Sequence, residues 1–365
     1  MHQEPLPSEY INLPQEEIDA RTIAAKETLG KRLVILGHHY QRDEIIRHAD
    51  FRGDSYKLAK DAAAVPDAEF IVFCGVHFMA ESADILTPPT QKVILPNLAA
   101  GCSMADMANL FQVRSAWKQI HEVISSDQTL VPVTYINSAA NLKAFVGEHG
   151  GTVCTSTNAP TAVSWALEQG DKVFFFPDQH LGRNTGYKLG YNPETEMVVW
   201  DPFKPLGGNT PEAIQAAKFI LWKGHCSVHK RFTVEQIENL RSKYPGIQVL
   251  VHPECELEVV LAADLNGSTE FILKAVTNSP SGSKWAVGTE INLVSRLAKE
   301  QPDKTIICLD PEICPCSTMY RIHPSFLLWT LENLVAGNVV NQIIVPDKIR
   351  GDALVALQRM LTVCA

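Results

Sequence analysis

Nine cysteines stand in this 365-residue chain, and the placement of four of them is the first chemical clue. Cys102 lies in AAGCSMADM, Cys226 in KGHCSVH, and the pair Cys314 and Cys316 in EICPCSTM. No C-x-x-C finger spacing joins them. Each site instead falls late in one of three successive sets of apolar runs, so three domains meeting about an axis could bring one thiolate each to a single metal centre. Three thiolates on a 4Fe-4S cluster leave one iron without a protein ligand, and that iron can act as a Lewis acid towards substrate oxygens. A buried unpaired cysteine is more often a small core residue, so spacing alone leaves both readings open.

Histidines follow the same geography. His38, His39, His180, His225, His229 and His252 all stand at the ends of apolar runs. One such histidine is as easily a satisfied structural residue as a functional one, but six at strand ends point to a shared site. The contexts GDS at 53–55, TST at 155–157 and GST at 267–269 place hydroxyls and backbone N–H groups just before predicted helices. Such positions bind carboxylates or phosphates, although ordinary N-capping is their commoner use.

The elements that must position these groups are short apolar runs, each ending in a polar cluster. They include 32–40, 69–77, 92–103, 131–138, 151–159, 172–180, 219–229, 248–256, 270–276, 284–290 and 305–310. Continuous Val/Ile/Leu/Phe runs of this length predict buried parallel strands, with ligands gathering beyond their carboxyl ends. Helical periodicity over 55–64, 138–150 and 290–300 lies between them, and 326–337 and 348–365 predict two C-terminal packing helices. Strand, helix, strand in repetition gives an α/β fold of three αβα domains with parallel sheets. We set the boundaries at an N-terminal extension 1–20, domain 1 over 21–112, domain 2 over 113–228 and domain 3 over 229–324, with 325–365 packing on domain 1.

Composition narrows the function class. With 45% hydrophobic and 20% charged residues the chain can bury several sheets. No run of about 18 apolar residues appears, so no membrane span is expected. The N-terminus lacks the basic-then-apolar order of a secretion signal, which predicts a cytoplasmic protein. A net charge of −9 repels a phosphate backbone, so small-molecule chemistry is expected rather than nucleic-acid binding. In that compartment cysteines serve metal ligation or catalysis before disulfides.

The segments GHHYQ, GDS, VFCGVHFMAE, AGCSMAD, TYINS, PDQHLGRNT, WKGHCSVH, VHPECE, GSKWAVGTE and CPCSTM together resemble the quinolinate synthase family, from about residue 20 to the C-terminus. The resemblance implies a pseudo-threefold array of the αβα domains around a central cavity with a 4Fe-4S cluster. It implies a transferase that condenses iminoaspartate with dihydroxyacetone phosphate, losing phosphate and water, to give quinolinate for NAD biosynthesis. A functional link to L-aspartate oxidase, as the source of iminoaspartate, follows from the same likeness. The implied ligands are Cys102, Cys226 and Cys316, the last because Cys316-Ser317-Thr318-Met319 fits the family frame; Cys314, which carries the proline, is the alternative. Tyr40, His252, Glu254 and His229 match catalytic pocket residues, and His38, Ser55, Tyr135, Asn137, Ser156, Ser268 and Thr269 match substrate-binding ones. Tyr320 departs from the pattern, since near relatives often carry Asn after the Met.

Two rivals from other classes share some of these features. A zinc hydrolase accounts for the histidines and predicts a colourless protein, and a non-catalytic redox sensor accounts for the cysteines alone. The adenosylmethionine radical motif C-x-x-x-C-x-x-C is absent. Cys74, Cys154, Cys308 and Cys364 lie in or beside apolar runs and are expected to be dispensable. Cys255 and Cys314 are left over, either as two unpaired thiols or as a redox-sensitive disulfide.

Overall fold

A computed structural model describes residues 3–310, 312 and 315–363. The fold is α/β, with three mostly parallel sheets. The first contains β1 (Leu33–His38), β2 (Phe51–Gly53), β3 (Phe70–Cys74), β4 (Lys92–Ile94) and the antiparallel β14 (Gln342–Ile343), in the order β14-β4-β3-β1-β2. The second has β5 (Leu130–Tyr135), β6 (Thr152–Cys154), β7 (Lys172–Phe176), β8 (Met197–Trp200) and β9 (Phe219–Trp222), in the order β6-β5-β7-β9-β8. The third runs β11-β10-β12-β13, from β10 (Gln248–Val251), β11 (Leu265–Asn266), β12 (Lys284–Gly288) and β13 (Thr305–Cys308).

One pattern recurs in all three. The first strand of each set lies between the second and the third, and the fourth flanks the third, with β9 taking the fourth place in the second sheet. Chain direction across the sheet therefore reverses at the first strand, the topological switch point where α/β proteins collect ligands. The residues that follow equivalent strands repeat as well. At the ends of the first strands or just beyond stand His38 and Tyr40, Tyr135 and Asn137, and His252 and Glu254; after the second come Ser55, Ser156, and Ser268 with Thr269; after the fourth come Cys102, Cys226 and Cys316.

The chain divides into two compact units. One comprises Met1–Cys102, Glu290–Arg296 and Cys314–Pro346; the other comprises Ser103–Thr289, Leu297–Ile313 and Asp347–Ala365. The first therefore holds the first sheet, and the second holds the other two. In the second unit Phe174, Phe175, Phe176, Phe219, Trp200 and Trp222 are all fully buried. Each such aromatic side chain removed from water contributes about 2–3 kcal/mol, so this sheet is a rigid platform for what its loops carry.

Caps set where helices begin beside these strand ends. Asp54 accepts from Lys57 N at 2.9 Å and starts the helix Ser55–Ala63. Asp178 accepts from His180 N at 2.7 Å and Leu181 N at 3.1 Å and starts Gln179–Lys188. Ser268 accepts from Phe271 N at 3.3 Å and starts Thr269–Asn278. That last helix corrects the strand expected over 270–276: the cap fixes helical backbone, and Ile272 and Val276, four residues apart, are its buried face.

The C-terminal stretch also behaves differently from the expectation that 325–365 packs as one piece on the first domain. Pro324–Val335 packs against Gln15–Leu29 in the first unit. Asp347–Val363 packs instead on Ala140–Glu148 and β6 in the second. Gly147 makes this approach possible, because a Cβ there would stand 1.9 Å from the carbonyl oxygen of Asp352.

Candidate active site

In the second unit a buried cluster forms where β10 and β12 end. Val251 leads directly into His252-Pro253-Glu254, and the fully buried strand core leaves these side chains little freedom. His229 Nδ1 lies 2.7 Å from Glu254 Oε2, and its Nε2 lies 3.1 Å from Thr289 Oγ1. The rings of His229 and His252 stack at 4.2 Å with 12° between their planes. All three side chains are buried, His229 at 1%, His252 at 2% and Glu254 at 3% exposure.

Charge is distributed unevenly in this cluster. Burial works to raise the Glu254 carboxyl, but His252, His229 and hydrogen bonds from His229 and Tyr135 prevail and hold it at about 2. Glu254 is thus a carboxylate and His229 Nδ1 the donor. Burial and the neighbouring His229 push His252 down to about 3. The geometry agrees, because His252 Nδ1 accepts the backbone N–H of Glu254 at 3.4 Å. His252 is therefore neutral with its hydrogen on Nε2, and its 4.0 Å approach to Glu254 Oε1 is not an ion pair.

Two further groups join the cluster that the sequence comparison did not assign. Asp178 is fully buried, its acidity weakened by burial and then by the Glu254 charge, and its Oδ2 has no hydrogen-bond partner. His180 Nε2 is likewise buried without a partner, and burial followed by the Arg183 charge lowers this histidine to about 4. The signal for both was the strand-end PDQH, where an aspartate follows an apolar run and caps the next helix. Asn137 Oδ1 is a third buried atom without a partner. Orphaned polar atoms of this kind mark places where a ligand completes the hydrogen bonding.

Ser156 and Ser268 line a separate cavity of about 220 Å³ in the same unit, together with Thr157, Asn184, Lys188 and Pro253. Thr269 is the first residue of the helix that Ser268 caps. The hydroxyls of TST and GST thus share one pocket, whose wall includes the residue between His252 and Glu254.

The first unit holds His38, Tyr40, Ser55, Cys102 and Cys316. His38 repeats the arrangement at His252: its Nδ1 accepts the backbone N–H of Tyr40 at 3.1 Å, and the two rings meet edge to face at 4.8 Å. Ser55 opens the helix that Asp54 caps. Tyr320 has its ring 3.5 Å beneath the Arg42 guanidinium and its carbonyl 2.5 Å from Arg42 Nη2. That contact is what the departure at this position adds to the loop after Cys316.

The cysteines separate by environment. Cys74, Cys154 and Cys255 are buried, whereas Cys102, Cys226, Cys308 and Cys316 are half-buried. Burial pushes the Cys74 thiol up to about 12 and Cys255 well above its ordinary value. Neither readily becomes the thiolate that a metal requires. Cys102, Cys226 and Cys316 are half-buried and stand on loops after the fourth strands, where a thiol can reach a ligand. Ligand atoms of Cys226, His229 and Glu254 lie within 4.8 Å of one another, a group able to hold a metal ion. Cys314 and Cys364 lie outside the described residues.

Glu290, which the sequence comparison left out as a functional residue, is fully buried in the first unit. Burial raises its carboxyl to about 7, against the pull of hydrogen bonds from the Cys316, Asn292 and Leu293 backbone.

Among the described residues no helix is long and apolar enough to cross a membrane. Residues 21–362 match the family described as "Quinolinate synthetase A protein". A protein of Corynebacterium glutamicum named quinolinate synthase is 60% identical over 361 residues, covering 99% of this chain and 91% of the relative. Proteins of the same name from a Nocardioides species and from Streptomyces coelicolor are 60% and 57% identical, covering 93% and 94% of this chain and 88% of each relative.

Proposed function

The chain belongs to the quinolinate synthetase A family, and from that premise we propose that it condenses iminoaspartate with dihydroxyacetone phosphate to quinolinate, with loss of phosphate and water, in NAD biosynthesis. The observation that carries this reading is the threefold recurrence of one chemical set at strand ends: paired polar side chains of His, Tyr, Asn or Glu at the first strands, hydroxyls after the second, cysteines after the fourth. Cys102, Cys226 and Cys316 would hold a 4Fe-4S cluster. That group, when bound by three thiolates, supplies an iron with an open position that polarises substrate oxygens.

The remaining work falls to side chains. Glu254, ionised, orients His229 and stabilises positive charge on it, so a substrate proton can be taken up at His229 Nε2. His252 and His38 offer Nε2–H as fixed donors, because each Nδ1 is already occupied by a backbone N–H. Tyr40 is the second acid/base group. Ser55, Ser268 and Thr269, at helix starts, and Ser156, in the turn before Ala159–Gln169, hold substrate carboxylates or phosphate. Tyr135 and Asn137 complete the binding set, and burial excludes water from intermediates. An L-aspartate oxidase as iminoaspartate source, and a cytoplasmic setting, belong to the same reading.

A second reading has one observation behind it, the Cys226, His229 and Glu254 group, which matches the donors of a mononuclear metal site. Against it, His229 and Glu254 already share a hydrogen at 2.7 Å. The test is anaerobic purification, with iron, zinc and sulfide analysis and quinolinate measured after addition of freshly generated iminoaspartate and dihydroxyacetone phosphate. We expect brown protein with about four irons and four sulfides per chain and quinolinate formation. Colourless, iron-free protein that still makes quinolinate would end the cluster reading, and zinc in its place would favour the mononuclear site.

A further inference from the structure

The segment Glu290–Arg296 belongs to the first unit although it follows directly on β12 of the third sheet. Its hydrogen bonds account for that. Glu290 Oε1 accepts the backbone N–H of Cys316 at 3.2 Å and Asn292 Nδ2 at 2.9 Å, while Oε2 accepts Asn292 N at 2.8 Å. Asn292 Nδ2 also donates to Tyr40 O at 3.2 Å. Arg296 Nη1 donates to Gln41 O at 3.1 Å and meets Asp43 Oδ1 at 3.2 Å, and its Nη2 donates to His39 O. One short stretch thus holds the backbone of the His38–Tyr40 loop and the backbone of the Cys316 loop.

We propose that Glu290 is a positioning residue for the cluster: its carboxyl fixes the Cys316 backbone so that the thiolate is presented in one orientation, while Asn292 and Arg296 tie the Tyr40 loop to the same strut. The fully buried carboxyl faces backbone donors and the Asn292 amide, and among the described residues it bonds the Cys316 backbone N–H directly, whereas the Cys316 carbonyl accepts Tyr320 N at 2.9 Å and its sulfur lies 3.4 Å from Thr318 Oγ1 within the same loop. A partner that orients a ligand in this way typically controls metal retention rather than the chemistry itself. The inference rests on the reading of Cys316 as a ligand.

The test uses cluster-loaded protein and anaerobic iron release to a ferrous chelator, a readout independent of turnover. Glu290→Ala and Glu290→Asp, the latter keeping the charge but withdrawing the acceptor from Cys316 N, are expected to release iron about 10-fold to 100-fold faster than wild type. Glu290→Gln, which keeps an acceptor oxygen, should restore slow release. Asn292→Ala leaves the Cys316 bond in place and should release iron at close to the wild-type rate, with its loss confined to turnover through Tyr40. If the alanine variant fails to fold, the aspartate variant decides. Wild-type release from Glu290→Asp, or equal acceleration in Asn292→Ala, would overturn the proposal. Wild-type iron content in Cys316→Ala would instead overturn the reading of Cys316 as a ligand, separating the two failures.

Discussion

Glu254 and Glu290 are the same residue type, each fully buried just beyond a strand of the third sheet, yet they are held at opposite ends of the carboxyl range, at about 2 and about 7. Burial works in the same direction on both. The partners differ: Glu254 faces two imidazoles and a tyrosine hydroxyl, whereas Glu290 faces backbone N–H groups, with Arg296 a weaker influence. Side chains that can carry charge keep the first ionised and fit to orient the imidazole of His229. Backbone dipoles, with a small pull from Arg296, leave the second near its titration range and fit it for holding backbone in place. Position at a strand end therefore makes a residue available to a site, and its neighbours decide what it does there.

The largest effects should come from the three cysteines proposed as cluster ligands. Replacing Cys102, Cys226 or Cys316 by Ala is expected to lower cluster content and abolish quinolinate formation, while Cys74→Ser, Cys154→Ser and Cys308→Ser keep both. Iron and sulfide analysis beside activity checks this, and a cluster-bearing, active Cys226→Ala would remove the cofactor from the account. Tyr40→Phe, on the loop that the Glu290 segment holds, is expected to cost about 100-fold in kcat with the cluster intact, the size of a lost acid/base group. A KM change without a kcat change would make Tyr40 a binding residue.

A smaller effect is expected at Thr289, whose hydroxyl lies 3.1 Å from His229 Nε2. Thr289→Val should lower kcat by about 10-fold and leave cluster content unchanged, as loss of an orienting hydrogen bond does. The last concerns stability rather than turnover, and pH. His180 is lowered from 6.5 to about 4 in the fold, so the unfolded chain takes up the proton first. Its contribution to stability is complete above pH 6.5 and is lost, by roughly 3 kcal/mol, as pH falls towards 4. His180→Gln should flatten the melting temperature profile over that interval; an unchanged slope would assign the acid sensitivity to other groups.

Much of this was legible in the sequence. Continuous apolar runs such as Leu33–His38, Phe70–Cys74 and Lys172–Phe176 gave the central strands because a parallel strand buried on both faces has no alternation to obscure it. The edge strands Phe51–Gly53 and Leu265–Asn266 were not legible, being two or three residues long. The run at 270–276 misled because Phe, Ile, Leu and Val suit a strand, while the deciding feature was the single cap at Ser268. The partner of the last helix was hidden too, since an apolar face does not say which surface it meets, and Gly147 became meaningful only in contact. Within the site, the motif residues around Glu254 were visible as polar ends of strands. Glu290 was not, because a buried carboxyl is recognised by its surroundings, and those come from residues distant in the chain, such as Cys316.

The most direct test of the account is Glu254→Gln in cluster-loaded protein, assayed for iron content, binding of a stable phosphate-bearing substrate analogue and quinolinate formation. The carboxylate that orients His229 would be gone and the shape nearly kept. The account predicts normal iron, normal analogue affinity and a kcat reduced by about 10²- to 10⁴-fold. Turnover near that of wild type, or loss of turnover only in step with loss of the cluster, would contradict it.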